Sequence, residues 1–135
     1  MLTKNLYEKI LISPVTKNVN KLFILSGYSS GTFARKHLID IIKINPNCEV
    51  KLIIGMGLKD TEHLTYLNLL KNFKKNLSIF YYTSKPLNHS KLYIWLEDDI
   101  PLIGFSGSSN YSQYGFFETK QINQMTEDNP QQLLY

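Results

Sequence analysis

The sequence predicts an α/β fold in a single domain, with a mixed, largely parallel sheet flanked by helices. Its first part alternates short apolar runs with longer amphipathic segments, which is the pattern of βαβ units. After Pro86 the pattern changes to two apolar runs joined by the acidic turn EDD, which is typical of a hairpin. A chain of 135 residues has room for one hydrophobic core and not for two domains of ordinary size.

The predicted elements follow from these runs and from the turn residues that bound them. A helix is expected over residues 32–44, because Ala34, Leu38, Ile41 and Ile42 form one apolar stripe. A second helix, capped by Asp60 or Thr61, is expected to carry Leu64, Leu67, Leu70 and Phe73, and a third to begin within residues 110–117. Strands are predicted at residues 21–26, 50–54, 77–82, 91–96 and 100–105.

The chain is divided on this basis into three parts. We expect residues 1–20 to be a lead-in and residues 21–120 to form the main domain. Apolar residues become sparse from Gln121 onward, so residues 121–135 are expected to be a truncated or frayed C-terminal segment.

Positive charge is concentrated in the first two thirds of the chain. Residues 1–90 contain 13 Lys and Arg against five Asp and Glu, a net charge of +8, whereas residues 91–135 contain two against six, a net charge of −4. A basic surface can attract a polyanion such as DNA, but lysines also keep proteins soluble. Charge alone does not choose between these interpretations.

Composition also indicates the compartment. No apolar run approaches the ~18 residues of a spanning helix, and the start MLTKNLYEKI is too polar for the apolar part of a secretion signal. Cys48 is the single cysteine, so it forms no internal disulfide, and we expect it to be a small core or loop residue. These features predict a cytoplasmic protein that does not attach to a membrane.

The segment richest in chemistry is NHSKLYIWLEDDIPLIGFSGSSN, residues 88–110. Near neutral pH a histidine can act as nucleophile or general acid, and a lysine on the same strand face can neutralise a phosphate oxygen. His89 and Lys91 would share such a face if the strand begins here, because side chains alternate along a strand.

The turn after the hairpin supplies hydrogen-bond donors. Gly107 allows the backbone to turn sharply, and Ser108 or Ser109, Asn110 and the amides that begin the next helix can bind an anion. Together with His89, these residues are the parts of a phosphodiester site.

The order His-x-Lys, hairpin, Gly-Ser-x-Asn resembles the signature of the phospholipase D superfamily. That signature has an aspartate where this chain has Leu96, a departure that weighs against lipid-cleaving members and that nuclease branches share. The segments GFSGSSNYSQYGFF, SGYSSGTFARKHL and KLIIGMGLKD extend the resemblance to the catalytic domain of NgoFVII-type restriction endonucleases, over about residues 21–121.

This resemblance implies a metal-independent DNA endonuclease with no cofactor. His89 would attack the phosphorus and form a phosphohistidine, Lys91 and Asn110 would bind the non-bridging oxygens, and Ser108 would support them. Such sites need two His-x-Lys units and this chain has one, so the resemblance implies a homodimer. Members also carry a glutamate that orients the histidine; Glu118 is the nearest acid in this sequence.

Family enzymes continue into a DNA-recognition domain, so the chain is expected to be a truncated product, a fragment or a minimal non-specific nuclease. A recognition domain or a partner methyltransferase is the further partner that the resemblance suggests. Two alternatives stay open: an inactive DNA-binding or dimerisation remnant, and another superfamily phosphodiesterase that acts on RNA or lipid. A gel shift without nicking in EDTA would favour the remnant.

Other conspicuous residues receive ordinary interpretations. His37 and His63 lie on predicted helices without partners at metal-ligand spacing, and we expect both at the surface or its boundary. Tyr93 and Trp95 would share a face with His89, and packing is favoured over stacking on a base. The lysines Lys71, Lys74 and Lys75 fit either a phosphate track or favourable charges at a helix end.

Overall fold

The computed structural model of the protein describes residues 1–117 and 123–128. Its strands are β1 (Val19–Ser26), β2 (Glu49–Ile54), β3 (Leu77–Tyr81), β4 (Leu92–Glu97), β5 (Ile100–Gly107) and β6 (Met125–Asp128). Its helices are α1 (Gly31–Ile44), α2 (His63–Asn72) and the short α3 (Gln113–Phe116), with a π-helix at Tyr7–Ile12 and a 3₁₀ turn at Gly57–Lys59.

The six strands form one mixed sheet in the order β3-β2-β1-β4-β5-β6. β1, β2 and β3 are parallel because α1 and α2 return the chain to the same edge, whereas β4, β5 and β6 are joined antiparallel. β4 pairs antiparallel with β1, so β1 and β4 are the two central strands. The predicted α/β class with a mixed sheet is confirmed.

The end of the chain departs from the prediction. Met125–Asp128 is not frayed but forms β6, which pairs with β5 from Gly104 to Gly107. Met125 is also fully buried and exchanges backbone hydrogen bonds with Leu2. Its four residues are too few to show a periodic pattern, which is why the sequence did not reveal the strand.

The helices pack on one face of the sheet and share one hydrophobic core with it. The π-helix belongs to this core through Ile10 and Leu11, and the carbonyl oxygen of Ile10 accepts a hydrogen bond from the Trp95 indole at 2.7 Å. Trp95 is therefore a packed core residue that cannot stack on a base. Cys48 is buried as expected.

The contact face of α2 matches the predicted apolar stripe only in part, because Leu70 and the following Phe73 pack against the core and the other two predicted residues do not. Leu64 and Leu67 are 79% and 45% exposed, and the buried residues of the helix are Tyr66 and Leu69. The helix is rotated toward the tyrosine because Tyr66 hydrogen-bonds to the hydroxyl of Ser29 beside the start of α1. Among the residues that the structure describes, no helix is long and apolar enough to cross a membrane.

Candidate active site

The site lies where β1, β2 and β3 end, and a connecting segment of the chain crosses it. After β3, residues 82–91 cross the carboxyl ends of β2 and β1 to reach β4. The amide of Gly57 donates to the carbonyl oxygen of Tyr82 at 3.2 Å, and the amide of Asn88 donates to the carbonyl oxygen of Gly55 at 3.0 Å. These bonds fix the crossing segment before it reaches His89.

Close approach of the backbone at this crossing requires glycine. A Cβ atom on Gly55 would lie 2.0 Å from the carbonyl oxygen of Asn88, a distance that no side chain tolerates. A Cβ on Gly27 would lie 3.4 Å from the Cα of His89 and 3.5 Å from Oδ1 of Asn110. The predicted nucleophile and the predicted anion-binding asparagine therefore both approach Gly27 closely.

His89 is exposed, and its surroundings restrain it from two sides. The Oδ1 of Asn88 accepts a hydrogen bond from the amide of Ser90 at 2.8 Å, which fixes the backbone on both sides of His89. The ring of Tyr28 meets the imidazole edge to face, with 6.3 Å between ring centroids. No residue that the structure describes hydrogen-bonds to the imidazole.

The strand predicted to carry His89 and Lys91 begins later than expected. β4 starts at Leu92, so both residues precede it and the argument from alternating strand faces does not apply to them. Tyr93, expected on the same face as His89, is fully buried, and its hydroxyl donates to the carbonyl oxygen of Ser109 at 2.6 Å. Burial raises the pKa of Tyr93, and this residue packs rather than binding a base.

Asn110 has a fixed amide orientation. Its Oδ1 accepts hydrogen bonds from the backbone amide of Tyr28 at 3.3 Å and from the hydroxyl of Ser26 at 3.2 Å. A backbone N–H can only donate, so the atom facing Tyr28 must be the oxygen. The Nδ2 group, which has no acceptor among the described residues, is left as a pair of hydrogen-bond donors.

The hydroxyl of Ser26 contacts several groups around Asn110. It is fully buried at the end of β1, and its hydroxyl also accepts the backbone amide of Tyr111 at 3.0 Å and contacts the carbonyl oxygen of Tyr28. The serine thus holds the side chain of Asn110 and the backbone amide that follows it against β1. Because this buried hydroxyl is shared by three groups, its loss would leave several polar groups unsatisfied.

The turn that ends β5 lies next to Lys91 and includes Ser108. The amide of Gly107 faces the carbonyl oxygen of Lys91 at 3.4 Å. Gly107 has a φ of 154°, and a Cβ on it would lie 2.1 Å from the carbonyl oxygen of Gln124. The turn therefore requires glycine both for its backbone angle and for space.

The two serines of the turn differ in environment. Ser108 is exposed, and its hydroxyl accepts the amide of Gln124 at 2.9 Å and approaches Oδ1 of Asn123 at 3.2 Å. Ser109 is fully buried, and its hydroxyl has no hydrogen-bond partner within residues 1–117 and 123–128. Only Ser108 is therefore placed to support an anion site, and it does so by tying the turn to the segment before β6.

A buried histidine, His37, hydrogen-bonds to the tyrosine that follows Asn110. His37 was expected near the surface, but it is fully buried, and its Nε2 lies 2.9 Å from the carbonyl oxygen of Leu11. A carbonyl only accepts, so Nε2 carries the proton and Nδ1 accepts from the Tyr111 hydroxyl at 2.6 Å. Burial lowers the pKa of His37 to about 4, so the ring is neutral at pH 7. His63 is exposed, as predicted.

Glu118, the predicted orienting acid, lies outside the described residues. The basic residues Lys74 and Lys75 line a groove of about 400 Å³ at the amino ends of β1–β3. That groove is at the edge of the sheet opposite His89, so these lysines do not extend the candidate site.

Sequence reasoning missed Ser26, Tyr28 and Asn88. A signal was available for the first two, because ligands of α/β proteins bind where parallel strands end. Ser26 is the last residue of β1, and Tyr28 follows it after one glycine. Asn88 directly precedes the histidine, but only the crossing over Gly55 reveals its role.

The sequence matches the NgoFVII restriction endonuclease N-terminal PLD domain over residues 4–134. The chain belongs to this family. The match is longer than the resemblance at residues 21–121 and includes the π-helix and β6. The matched family is described as a restriction endonuclease domain of the PLD type, so the predicted class of enzyme, a nuclease or phosphodiesterase of the phospholipase D superfamily, is confirmed. A search among curated protein sequences finds no match.

Two solved structures are similar to this NgoFVII-type domain, the first of them over nearly its whole length. NucT from Helicobacter pylori is 16% identical with a TM-score of 0.62, over 98% of this chain and 86% of NucT. Yeast tyrosyl-DNA phosphodiesterase 1 is 17% identical with a TM-score of 0.48, over 75% of this chain and 23% of that protein. The first of these likenesses shows that the phospholipase D-like fold is the correct one.

Proposed function

We propose that this NgoFVII-type domain is a metal-independent endonuclease that cleaves DNA phosphodiester bonds through a phosphohistidine. The observation that carries the proposal is the arrangement around Gly27, where a Cβ atom would lie 3.4 Å from the Cα of His89 and 3.5 Å from the fixed Oδ1 of Asn110. A phosphate held by the Nδ2 donors of Asn110 would be next to the imidazole. Proximity of this kind accounts for a large part of catalysis in phosphoryl transfer.

In the first step an imidazole nitrogen of His89 attacks the phosphorus, a P–N bond forms and the bond to the leaving oxygen breaks. The imidazolium of His89 of the partner subunit gives its proton to that oxygen. In the second step the now neutral partner's His89 takes a proton from water, the water oxygen attacks the phosphorus and the P–N bond breaks.

The remaining residues would stabilise charge. Lys91 and Asn110 are assigned to the non-bridging oxygens, where negative charge builds up in the transition state. Ser108 supports this part of the site through its hydrogen bonds to the segment before β6. Glu118 is retained as the residue proposed to orient His89.

A dimer is part of the mechanism, because each chain supplies a single His-x-Lys unit and the two steps need both an acid-base group and a nucleophile. The DNA substrate is supported by the family and by the net charge of +8 on residues 1–90. We place the enzyme in the cytoplasm, with a recognition domain or methyltransferase as its further partner.

A second candidate function, DNA binding without cleavage, is favoured by one observation. The His89 imidazole contacts the ring of Tyr28 but has no hydrogen-bond partner among the residues that the structure describes, so no described residue holds its ring for attack by a hydrogen bond. RNA or lipid phosphodiesters are the remaining alternative substrates.

Plasmid nicking in EDTA tests the proposal. Wild-type protein and the matched variant His63→Ala, which removes an exposed histidine at the start of α2, should nick plasmid DNA without added metal. His89→Ala should not. If wild-type protein only retards DNA in a gel, with a strong dependence on salt, the binding function replaces the proposed one.

A further inference from the structure

The sheet has a second face that contributes nothing to the hydrophobic core. Side chains alternate along each strand, and the core takes Leu22 and Ile24 from β1 and Val50 and Leu52 from β2, together with buried residues of the π-helix, α1, α2 and α3. The opposite set of side chains lies outside that core, and we name it the open face. It comprises Lys21, Phe23, Leu25, Glu49, Lys51, Ile53, Ser78, Phe80, Leu92, Ile94, Leu96, Gly104, Ser106, Thr126 and Asp128.

The centre of the open face is apolar. Phe23 of β1 pairs with Ile94 of β4, and Leu25 pairs with Leu92. Ile94 is fully buried beneath its neighbours, and Phe23, Leu25 and Leu92 are half-buried, so these three present the apolar surface in the middle of the sheet. Toward one edge Phe80 is 49% exposed. An apolar area of this kind on a sheet indicates a contact surface.

One row of the open face is self-complementary in charge. The pairing runs straight across the sheet from Lys51 through Phe23, Ile94 and Gly104 to Asp128. Lys51 is exposed and lies over the ring of Phe80, and neither Lys51 nor Asp128 has an ion-pair partner among the described residues. The row is therefore basic at the β2 end, apolar in the middle and acidic at the β6 end.

The charged residues of the open face follow the same division. β1 and β2 contribute Lys21, Lys51 and Glu49, a net charge of +1, and β6 contributes Asp128, a charge of −1. A surface with opposite charges on its two halves fits a reversed copy of itself.

We infer that the open face binds a second copy of this chain about a twofold axis parallel to the central strands β1 and β4. The inference rests on the proposed dimeric function and names the surface that forms the dimer. Rotation about such an axis keeps each residue at its height along the strands and exchanges the two edges of the sheet. The partner subunit's Lys51 then lies over Gly104, beside Asp128, and the apolar centres of both sheets meet.

The same axis places the candidate active sites of the two subunits next to each other. The His89 backbone touches Gly27 at the end of β1, one of the two strands that flank the axis. An axis parallel to the strands leaves both carboxyl edges on the same side of the dimer, so His89 and the partner's His89 lie near each other. An axis across the middle of the strands would send them to opposite sides.

Charge reversal tests the inference by analytical ultracentrifugation over a range of protein concentrations. Lys51→Glu and Asp128→Lys should each weaken dimerisation by about tenfold, because every substitution acts twice in a symmetric dimer. The double variant K51E/D128K should restore the wild-type dissociation constant. The double variant K71E/E127K has the same change of charges away from the open face and should dimerise like the wild type. Circular dichroism confirms that each variant is folded.

The outcomes separate this inference from the proposed function. If the protein is a dimer that nicks DNA and the single reversals leave its dissociation constant unchanged, the surface is wrong and the function stands. If the reversals weaken the dimer and the double variant rescues it while wild-type protein never nicks DNA, the surface stands and the function is wrong. A protein that is monomeric at every concentration overturns the inference.

Discussion

The backbone amide of Asn88 donates a hydrogen bond to the carbonyl oxygen of Gly55 at 3.0 Å, at the point where the crossing segment passes β2. The same asparagine holds the amide of Ser90 with its side chain, so His89 lies between two fixed residues. The position of the predicted nucleophile therefore depends on the absence of a side chain at residue 55.

Gly55→Ala should displace the crossing segment, because the new Cβ would lie 2.0 Å from the Asn88 carbonyl oxygen. We expect a loss of about 1–3 kcal/mol in the free energy of unfolding, as for other overpacked sites. Nicking activity should fall by about 100-fold, since small misplacements of a catalytic group are costly. Denaturant unfolding and the nicking assay measure the two effects.

Gly27→Ala is the matched control for stability, because its Cβ would meet only ordinary contacts at 3.4 Å and beyond. It should unfold at nearly the same denaturant concentration as the wild type. Equal stability and activity of Gly55→Ala and wild-type protein would show that the crossing does not restrain His89.

Ser26→Ala should impair catalysis by releasing Asn110. The substitution removes a hydrogen bond to Oδ1 of Asn110 and leaves the buried amide of Tyr111 without its acceptor, which costs about 1–3 kcal/mol of stability. Because Ser26 is a positioning residue, kcat should fall by about tenfold with little change in KM.

Ser30→Ala controls for a general loss of stability. Ser30 caps α1 by accepting the amide of Phe33, and loss of such a cap costs about 1 kcal/mol without affecting Asn110. A fall in kcat of the same size in both variants would contradict the role assigned to Ser26.

Asn110→Asp replaces the Nδ2 donors with a carboxylate oxygen of nearly the same shape. The variant should fold, since Oδ1 keeps its hydrogen bonds from Tyr28 and Ser26, but cleavage should fall by about 100-fold or more because the new charge repels phosphate. Asn18→Asp makes the same change of charge at an exposed position and should retain activity. Retained cleavage by Asn110→Asp would remove Asn110 from the anion site.

His37 should make the protein less stable in mild acid. Burial lowers the folded-state pKa to about 4, below the ordinary value near 6.5, so the unfolded chain binds more protons between these values. The free energy of unfolding should therefore fall by about 3 kcal/mol as the pH drops from about 6.5 to 4.

His37→Gln keeps a donor and an acceptor but does not titrate, so its stability should change less over this pH range. The control His63→Gln alters an exposed histidine and should retain the wild-type pH dependence. If His37→Gln loses stability with falling pH as steeply as the wild type, another group is responsible. Denaturant titrations at several pH values provide the measurement.

The sequence predicted those elements of the fold in which apolar residues recur with one clear period. The stripe of Ala34, Leu38 and Ile41 gave α1, and these three residues are fully buried. The pattern was only partly right for α2: Leu70 packs against the core as the stripe indicates, but Leu64 and Leu67 are exposed and Tyr66 is buried, where its hydroxyl pairs with that of Ser29. Propensity cannot indicate such a contact between distant residues.

The residues of the candidate site likewise comprise some that the sequence pattern revealed and others that it did not. His89, Lys91, Ser108 and Asn110 were found because they follow a spacing, whereas Ser26 was not, since its role arises from a hydrogen bond to a residue 84 positions away. His37 was assigned to the surface because a histidine in a helix gives no sign that Tyr111 and Leu11 will satisfy both ring nitrogens.

Detection of the bond between His89 and phosphorus tests the proposed mechanism. Wild-type protein is mixed with end-labelled DNA in EDTA, quenched in alkali, where a phosphohistidine survives, and resolved on a denaturing gel with mass spectrometry of the adduct. We expect a transient adduct on the peptide that contains His89, absent from His89→Ala and present in His63→Ala. Nicking without any adduct at His89, or nicking by His89→Ala, would contradict the proposed mechanism.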